Sequence, residues 1–510
     1  MSESQGRSGR RSRRGRGSTD RTARTSDYRK LNSPLPLGQG YSPDQIEAIH
    51  NAALKILEEV GVRVLHDGAR DLLERAGADI RETQVHFDRA MVMEAVASAP
   101  ARFTLTSARS TLEVGDRNTF FLPVGGPPHA MDTERGKRPG TFEDFRNFVR
   151  LTQSFDVLHM IGPSVEPQDI PPNLRHLEMM RTYLIDSDKP IFIYSRGKEQ
   201  VRHSFDLVRL RLGLTDEAFR ARPHCYTVIN TNSPLTLDLP MCQGLIDFAG
   251  AGQMSIITPF TLSGARAPVT IPGALVQQHA EMLSALVLTQ TVKPGAPVVY
   301  GGFTSNVDMK TGAPAFGTPE YVRACWGTGQ LARLLELPWR SSASCVSNTP
   351  DAQAIWETQM ALWGALTGGA NLVLHAAGWL EGGLSASYEK FILDIEQLQH
   401  MAELMQPVNF EPDDLGLDAI REVGPGGHFF GAAHTMARYE TAFYAPLVSD
   451  WSNFGQWQES GARTATERAS GIWKQVLADF VPPDCASDTR EAIDSYVERR
   501  MHEGGAAPVS

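Results

Sequence analysis

Several things are scarce in this 510-residue sequence. Its five cysteines, Cys225, Cys242, Cys325, Cys345 and Cys485, are odd in number and widely scattered. No two stand at CxxC spacing, so a disulfide framework is excluded as the organising device, and reduced thiols in a cytoplasmic protein are expected. HExxH is missing too, which leaves a zinc site built from this chain alone without support; no bound metal is expected. No run approaches the ~18–20 apolar residues that span a bilayer. A glycine-rich phosphate turn after an early strand is also lacking. Gly250-Ala-Gly252 follows a helical stretch, and Gly424-Pro-Gly426-Gly427 lacks the continuation of a dinucleotide fingerprint. A net charge of −10 argues against nucleic acid as the main partner.

What is present falls into four parts. Residues 1–35 form an arginine-rich arm, with Arg7, Arg10, Arg11, Arg13, Arg14, Arg16, Arg21, Arg24 and Arg29 among Gly and Ser. Such a segment cannot bury enough surface to offset its ordering entropy, so disorder is expected. It has no apolar h-region and does not read as a secretory leader. Residues 36–117 read as a helical cap. Ser42-Pro43 marks its first helix start, and helices are expected over 67–76 and 85–100, with a short strand at Phe103. Residues 118–406 alternate between strand-like and helix-like runs. The strands are Thr119–Val124, Val157–Ile161, Ile191–Tyr194, Cys225–Ile229, Ser255–Phe260, Val298–Tyr300, Trp339–Ser344 and Leu372–His375. Eight pairs in unbroken alternation point to a closed (β/α)8 TIM barrel. Residues 407–510 read as a C-terminal helical extension partly laid on it.

In a barrel of that kind, site residues sit at the C-terminal ends of strands. Those ends carry Tyr194, Asn232, Phe260, Tyr300, Phe303, His375 and Gly378, with Glu381 shortly after. The rim is rich in aromatic, glycine and amide or hydroxyl groups and poor in ionisable ones. That pattern suits a cation without hydrogen-bond donors of its own, held by aromatic faces as quaternary ammonium groups are. For the aromatic residues, ordinary barrel packing stands beside cage duty. His375 is either a substrate contact or a satisfied structural histidine, and Glu381 either holds His375 or a ligand ammonium or belongs to an exposed loop. Asp351 reads as a helix N-cap, and Cys345 as an inert buried thiol.

Four stretches carry a family resemblance: Asn232-Ser-Pro-Leu235, Gly264–Met282 (GARAPVTIPGALVQQHAEM), Gly317–Pro338, and Thr349–Glu357 (TPDAQAIWE) with Gly369–Gly383. They resemble the trimethylamine methyltransferase superfamily, whose members pass methyl groups to corrinoid proteins and whose fold is a (β/α)8 barrel. Archaeal members carry pyrrolysine on the seventh strand, just before the segment matching Ser347–Pro350. The resemblance places that position at Ser344. The absence of pyrrolysine implies the branch that demethylates quaternary amines, glycine betaine foremost, since a quaternary ammonium already departs as a neutral tertiary amine.

On this reading Ser344 and Glu381 are the catalytic-position residues. The aromatic residues Tyr194, Phe260, Tyr300 and Phe303 surround the trimethylammonium, Asn232 also binds the substrate, and His375 or the backbone near Gly378 holds the carboxylate. Co(I) of a partner corrinoid protein accepts the methyl group, and a homo-oligomer is expected. The alternatives are the same reaction on carnitine, proline betaine or choline, a catalytically inactive barrel binding an acidic partner through its basic arm, and an unrelated barrel hydrolase or lyase. The shortage of carboxylates, histidines and metal spacings at the strand ends stands against the last.

Overall fold

A computed structural model describes residues 27–509, so most of the arginine-rich arm lies outside them. The described chain divides into two units. One spans 28–406 and 448–509, and the other contains 407–447.

The first unit is an α/β fold around a seven-stranded parallel sheet. In spatial order the strands are Phe120–Phe121, Leu372–Leu374, Trp339–Ser342, Val298–Gly301, Met254–Ile257, Cys225–Ile229 and Ile191–Phe192. Their residues are buried on both faces almost throughout, as a parallel sheet covered by helices requires. Helices follow the strands where the sequence places them, among them Phe142–Ser154, Leu239–Gly250, Ile271–Val292, Pro319–Leu334, Ala352–Gly368 and Tyr388–Leu404. Their starts are chemically marked. Asp238, Thr318, Asp351 and Ser387 each accept a backbone N–H of the first turn, and Gly369 ends its helix at φ 86°.

One expected strand departs from the regular ladder. The 157–161 segment lies between the two outer strands of the sheet: His159 N donates to Phe121 O (2.9 Å) and Ile161 N to Pro190 O (2.8 Å). A side chain interrupts the ladder, because Phe121 N donates to His159 Nδ1 (3.0 Å) instead of to a backbone carbonyl. The eighth segment is therefore hydrogen-bonded in place without being a strand.

The region before the sheet is mixed rather than helical. Short strands Val62–Val64, Asp79–Arg81 and Gln84–His86 form a small sheet, to which Thr236–Leu237 adds a parallel strand. Three-residue strands with charged alternate positions are too short to show a period. The third helix starts at its Asp88 N-cap, not at Val85. Helices Pro43–Glu59, Asp67–Arg75 and Arg89–Ser98 pack on Ile271–Val292, which is why that 22-residue helix is buried nearly all round.

After Gln406 the chain is not one extension. Helices Ala465–Ala478 and Ser487–His502 belong to the first unit and pack on its outer helices. The tail then runs to the sheet's edge, where Val509 N donates to Arg196 O (3.0 Å). The 407–447 unit has two short helices, Leu417–Val423 and Ala433–Arg438, and among its residues only Ala419 and Ala432 are buried apolar groups.

Candidate functional site

A cavity of about 570 Å³ opens at the C-terminal ends of the strands. Its wall is built from segments at one end of the sheet: Gly125 and Gly126, Gly162 and Pro163, Tyr194 to Arg196, Asn230 to Asn232, Phe260, Phe303, and His375 and Trp379. Its floor reaches into the sheet at Phe192, Tyr226 and Arg340.

Five of the residues expected from the sequence line this cavity: Tyr194, Asn232, Phe260, Phe303 and His375. Four do not. Tyr300 is fully buried with its hydroxyl 2.9 Å from His279 Nδ1, because alternation along its strand turns it outward while Val299 joins the inner core. Gly378 gives its N–H to Asp394 Oδ2 (2.8 Å) and turns the chain at φ 88°. Ser344 is fully buried, and its Oγ has no partner. Glu381 pairs with Lys137 (2.9 Å) and accepts from Ser385 Oγ, so its loop is capped while Gly382 and Gly383 meet the cavity.

The residue that composition-level reasoning missed is Arg340. It stands in the middle of the Trp339–Ser342 strand and is 1% exposed. Neither Nε nor Nη1 has a hydrogen-bond partner, and no carboxylate pairs with it among the described residues. Its guanidinium lies 5.3 Å from the centre of the Phe303 ring. Burial lowers its pKa to about 10, with Tyr321 and Tyr226 pulling the other way, so it stays charged at neutral pH. The signal was available: an arginine inside a strand buried on both faces has to answer to something.

Around Arg340 the groups are neutral. His375, at φ 57°, has Nδ1 3.1 Å from Ser342 Oγ, and its ring is 3.9 Å from that of Trp379. Burial, and then the Arg340 charge, hold its pKa well below the ordinary histidine value, so it is uncharged near pH 7. Phe303 stacks between Phe260 and Phe316, each 5.0 Å away. Tyr194 is kept as the phenol, its pKa pushed up to about 12 by burial, and its hydroxyl has no partner. Glycines keep one side of the cavity open. A Cβ on Gly126 would come within 3.0 Å of the Tyr194 hydroxyl, and one on Gly383 within 2.5 Å of the Trp379 ring.

Two buried glutamates fix the loops that frame this space. Glu281, from the GARAPVTIPGALVQQHAEM stretch, accepts from Thr231 Oγ1 (2.5 Å), Ser233 Oγ (2.8 Å) and Leu235 N (2.9 Å). Glu357, from TPDAQAIWE, accepts from Val346 N (2.8 Å) and Ser347 N (3.1 Å). The two most specific sequence stretches thus each supply a carboxylate that pins a strand-end loop, which is a positioning role.

Comparison with known proteins agrees with this arrangement. The trimethylamine methyltransferase (MTTB) family matches residues 6–505. The glycine betaine methyltransferase of Desulfitobacterium hafniense (strain Y51) is 34% identical over 475 residues, covering 92% of this chain and 99% of that one. The proline betaine:corrinoid methyltransferase of Eubacterium limosum is 26% identical, over 89% of this chain and 96% of the other. In fold alone, the crystal structure of the Methanosarcina barkeri monomethylamine methyltransferase is similar, with a TM-score of 0.53 at 10% identity over 92% of this chain and 89% of that one. With a family match spanning nearly its whole length and a relative one-third identical end to end, this chain belongs to the trimethylamine methyltransferase family.

Proposed function

We propose that this protein transfers a methyl group from a carboxylate-bearing quaternary amine, glycine betaine foremost, to Co(I) of a corrinoid carried by a separate protein. The observation that carries the choice of substrate is Arg340, a buried guanidinium facing the cavity without a counter-charge. Leaving such a charge unpaired costs several kcal/mol, and a bound carboxylate removes that cost. Trimethylamine and choline offer no carboxylate. The trimethylammonium end then lies among Phe260, Tyr194 and Trp379, whose ring faces favour a cation that cannot donate hydrogen bonds. Neutral His375 adds no repulsion.

The methyl acceptor is the second substrate, and the glycine-lined side of the cavity, at Gly125, Gly126, Gly382 and Gly383, leaves room for a bulky planar group. The Co(I) electron pair forms the bond to the methyl carbon. The C–N bond breaks with its pair going to nitrogen, and the tertiary amine leaves neutral. No general acid is needed, and the chain's residues position the methyl group and exclude water. Ser344, at the position the resemblance assigns to pyrrolysine, forms no adduct in this scheme. In the same reading the 157–164 segment closes the sheet as the eighth stave of a (β/α)8 barrel.

The test is to incubate the protein with a reduced corrinoid and a panel of amines and follow methylcobalt formation by absorbance. Turnover of glycine betaine, with proline betaine and carnitine as bulkier comparisons, is expected. Choline or trimethylamine turned over as well as the betaines would remove the role given to Arg340.

A further inference from the structure

Lys390 and Asp394 form an ion pair that water does not reach. Both stand on Tyr388–Leu404, one turn apart, with side chains 0% and 1% exposed. They lie where that helix packs on Ala352–Gly368. Lys390 Nζ donates to Asp394 Oδ1 and to Thr358 Oγ1 (2.9 Å) on the neighbouring helix. Burial lifts the Asp394 pKa to about 6, against the pull of Lys390 and of a backbone N–H, so the carboxylate is ionised near pH 7. A buried pair of this kind adds little to stability, because the desolvation it requires offsets its attraction, and apolar side chains of similar volume serve as well. What else the pair bonds is therefore the informative contact.

That contact is the second carboxylate oxygen. Asp394 Oδ2 accepts the N–H of Gly378 (2.8 Å), and Gly378 O accepts the N–H of Ser387, the N-cap of the same helix (2.9 Å). Both backbone groups of Gly378 are thus tied to one element. A Cβ at this position would come within 3.2 Å of the Phe391 ring, so the turn sits tight against the helix. The turn carries part of the cavity wall. His375, at φ 57°, and Gly378, at φ 88°, bend the chain on either side of Ala376-Ala377. A histidine in the left-handed region persists only where its surroundings over-determine it. Toward the sheet, Ala376 N donates to Leu122 O and Ala377 O accepts Val124 N (both 2.8 Å). Toward the helices, Gly378 N rests on Asp394. The next residue is Trp379, which lines the cavity with its ring 3.9 Å from that of His375.

We propose that Lys390 and Asp394 are a positioning pair for methyl transfer. Lys390 orients the Asp394 carboxylate, the carboxylate holds Gly378 N, and the turn so fixed sets the Trp379 ring at the cation end of the cavity. Neither residue touches the substrate. The role in transfer rests on the reading that this cavity binds the quaternary amine, whereas the grip on Gly378 can be measured without any substrate.

Paired variants and hydrogen exchange test it. Lys390→Met with Asp394→Leu removes charge and acceptor together. The melting temperature should hold or rise, and KM for glycine betaine should rise about 5–30-fold, the range expected for losing the Trp379 ring. kcat should change by less than about threefold, as for a loss of binding that ground and transition states share. Lys390→Met with Asp394→Asn keeps an uncharged acceptor for Gly378 N and should bring KM back to within about threefold of wild type. In a Trp379→Leu background the apolar pair should add nothing further, because residues that act through one another are not additive. In substrate-free protein, exchange at the Gly378 amide should quicken at least about tenfold in the apolar variant and recover in the Asn variant. A wild-type KM in the apolar variant, or the same KM rise with and without Trp379, overturns the positioning role. Gly378 exchange that ignores the apolar pair overturns the grip itself. Exchange as expected in a protein that turns over no quaternary amine leaves the grip standing and overturns the reading of the cavity and the role in transfer. Should the apolar pair not fold, the wild type decides: a Gly378 amide exchanging as fast as an open loop overturns the inference, and one protected like the strand amides of 372–374 supports it.

Discussion

Of the three arginines that line the cavity, Arg196 and Arg340 do so under opposite conditions. Arg196, in the wall, is clamped by Glu166 at 2.5 and 3.2 Å, stacks 4.0 Å above the Tyr194 ring, and shares Glu166 with Arg175. Burial works against its charge, but the Glu166 carboxylate outweighs burial and raises its pKa. Arg340, on the floor, has burial without a carboxylate, and its pKa falls to about 10. A paired buried arginine is complete in the empty protein and serves as scaffold. An unpaired one is complete only with a ligand, so the difference separates structure from binding better than either residue type or position does.

The largest effect should come from Arg340→Met. Removing the buried charge proposed to hold the substrate carboxylate is expected to lower kcat/KM for glycine betaine by about 10²–10³-fold, in line with ~3–4 kcal/mol for a desolvated charge pair. The melting temperature should hold or rise, since an uncompensated buried charge has gone. Wild-type pH dependence sharpens the point. Carboxylate binding needs charged Arg340, a form present below about pH 10 and lost above it. Betaine affinity measured by calorimetry should be flat from pH 7 to 9 and fall beyond 10. Glu166→Gln should do the reverse of Arg340→Met. It strands two half-buried arginines, costs about 1–2 kcal/mol of stability and lowers the melting temperature by a few degrees, while the carboxylate preference stays.

Much of this was legible in the sequence, for identifiable reasons. Parallel strands buried on both faces are mostly apolar runs, and helix starts such as Ser42 and Asp351 carry oxygen caps that sequence displays directly. Five cavity residues followed from one rule, that sites lie at the C-terminal ends of strands. The rule gives a position along the strand but not a direction across it. Tyr300 stands at a strand end and points outward to His279. Arg340 stands one residue into its strand and reaches the cavity because it points inward. The 157–161 segment was expected as a strand from its apolar residues, and the departure depends on the His159 side chain taking an amide 38 positions away in sequence, which no local pattern records. The 407–447 unit is likewise invisible to composition, because its apolar residues look like a core until the structure leaves them exposed.

A middling effect is expected at the aromatic end. Trp379 stacks on His375 at 3.9 Å and lies 6.3 Å from Phe303, so Trp379→Leu keeps the wall apolar while removing a ring face. At ~1–2 kcal/mol per cation–π contact, the KM for glycine betaine should rise about 5–30-fold. An isostere of the substrate without the positive charge, the quaternary nitrogen replaced by carbon and the carboxylate kept, should bind wild type and variant equally. If both ligands weaken together, Trp379 only shapes the cavity. If only the cation weakens, the ring faces read charge as Arg340 reads the carboxylate.

Ser344 completes the comparison of unpaired groups. Like Arg340 it is a buried polar side chain with unpartnered polar atoms, two residues beyond the end of the strand that carries Arg340, but it does not line the cavity. An unpartnered group that no ligand can reach has only its desolvation to contribute, and that is unfavourable. Ser344→Ala should therefore leave kcat/KM for glycine betaine within about twofold and stabilise the fold by up to about 1 kcal/mol, read as a small rise in melting temperature. A loss of turnover beyond tenfold with the fold intact would give the hydroxyl a part in the chemistry. It would also mean that the position the sequence resemblance assigns to pyrrolysine has been reused here, not vacated.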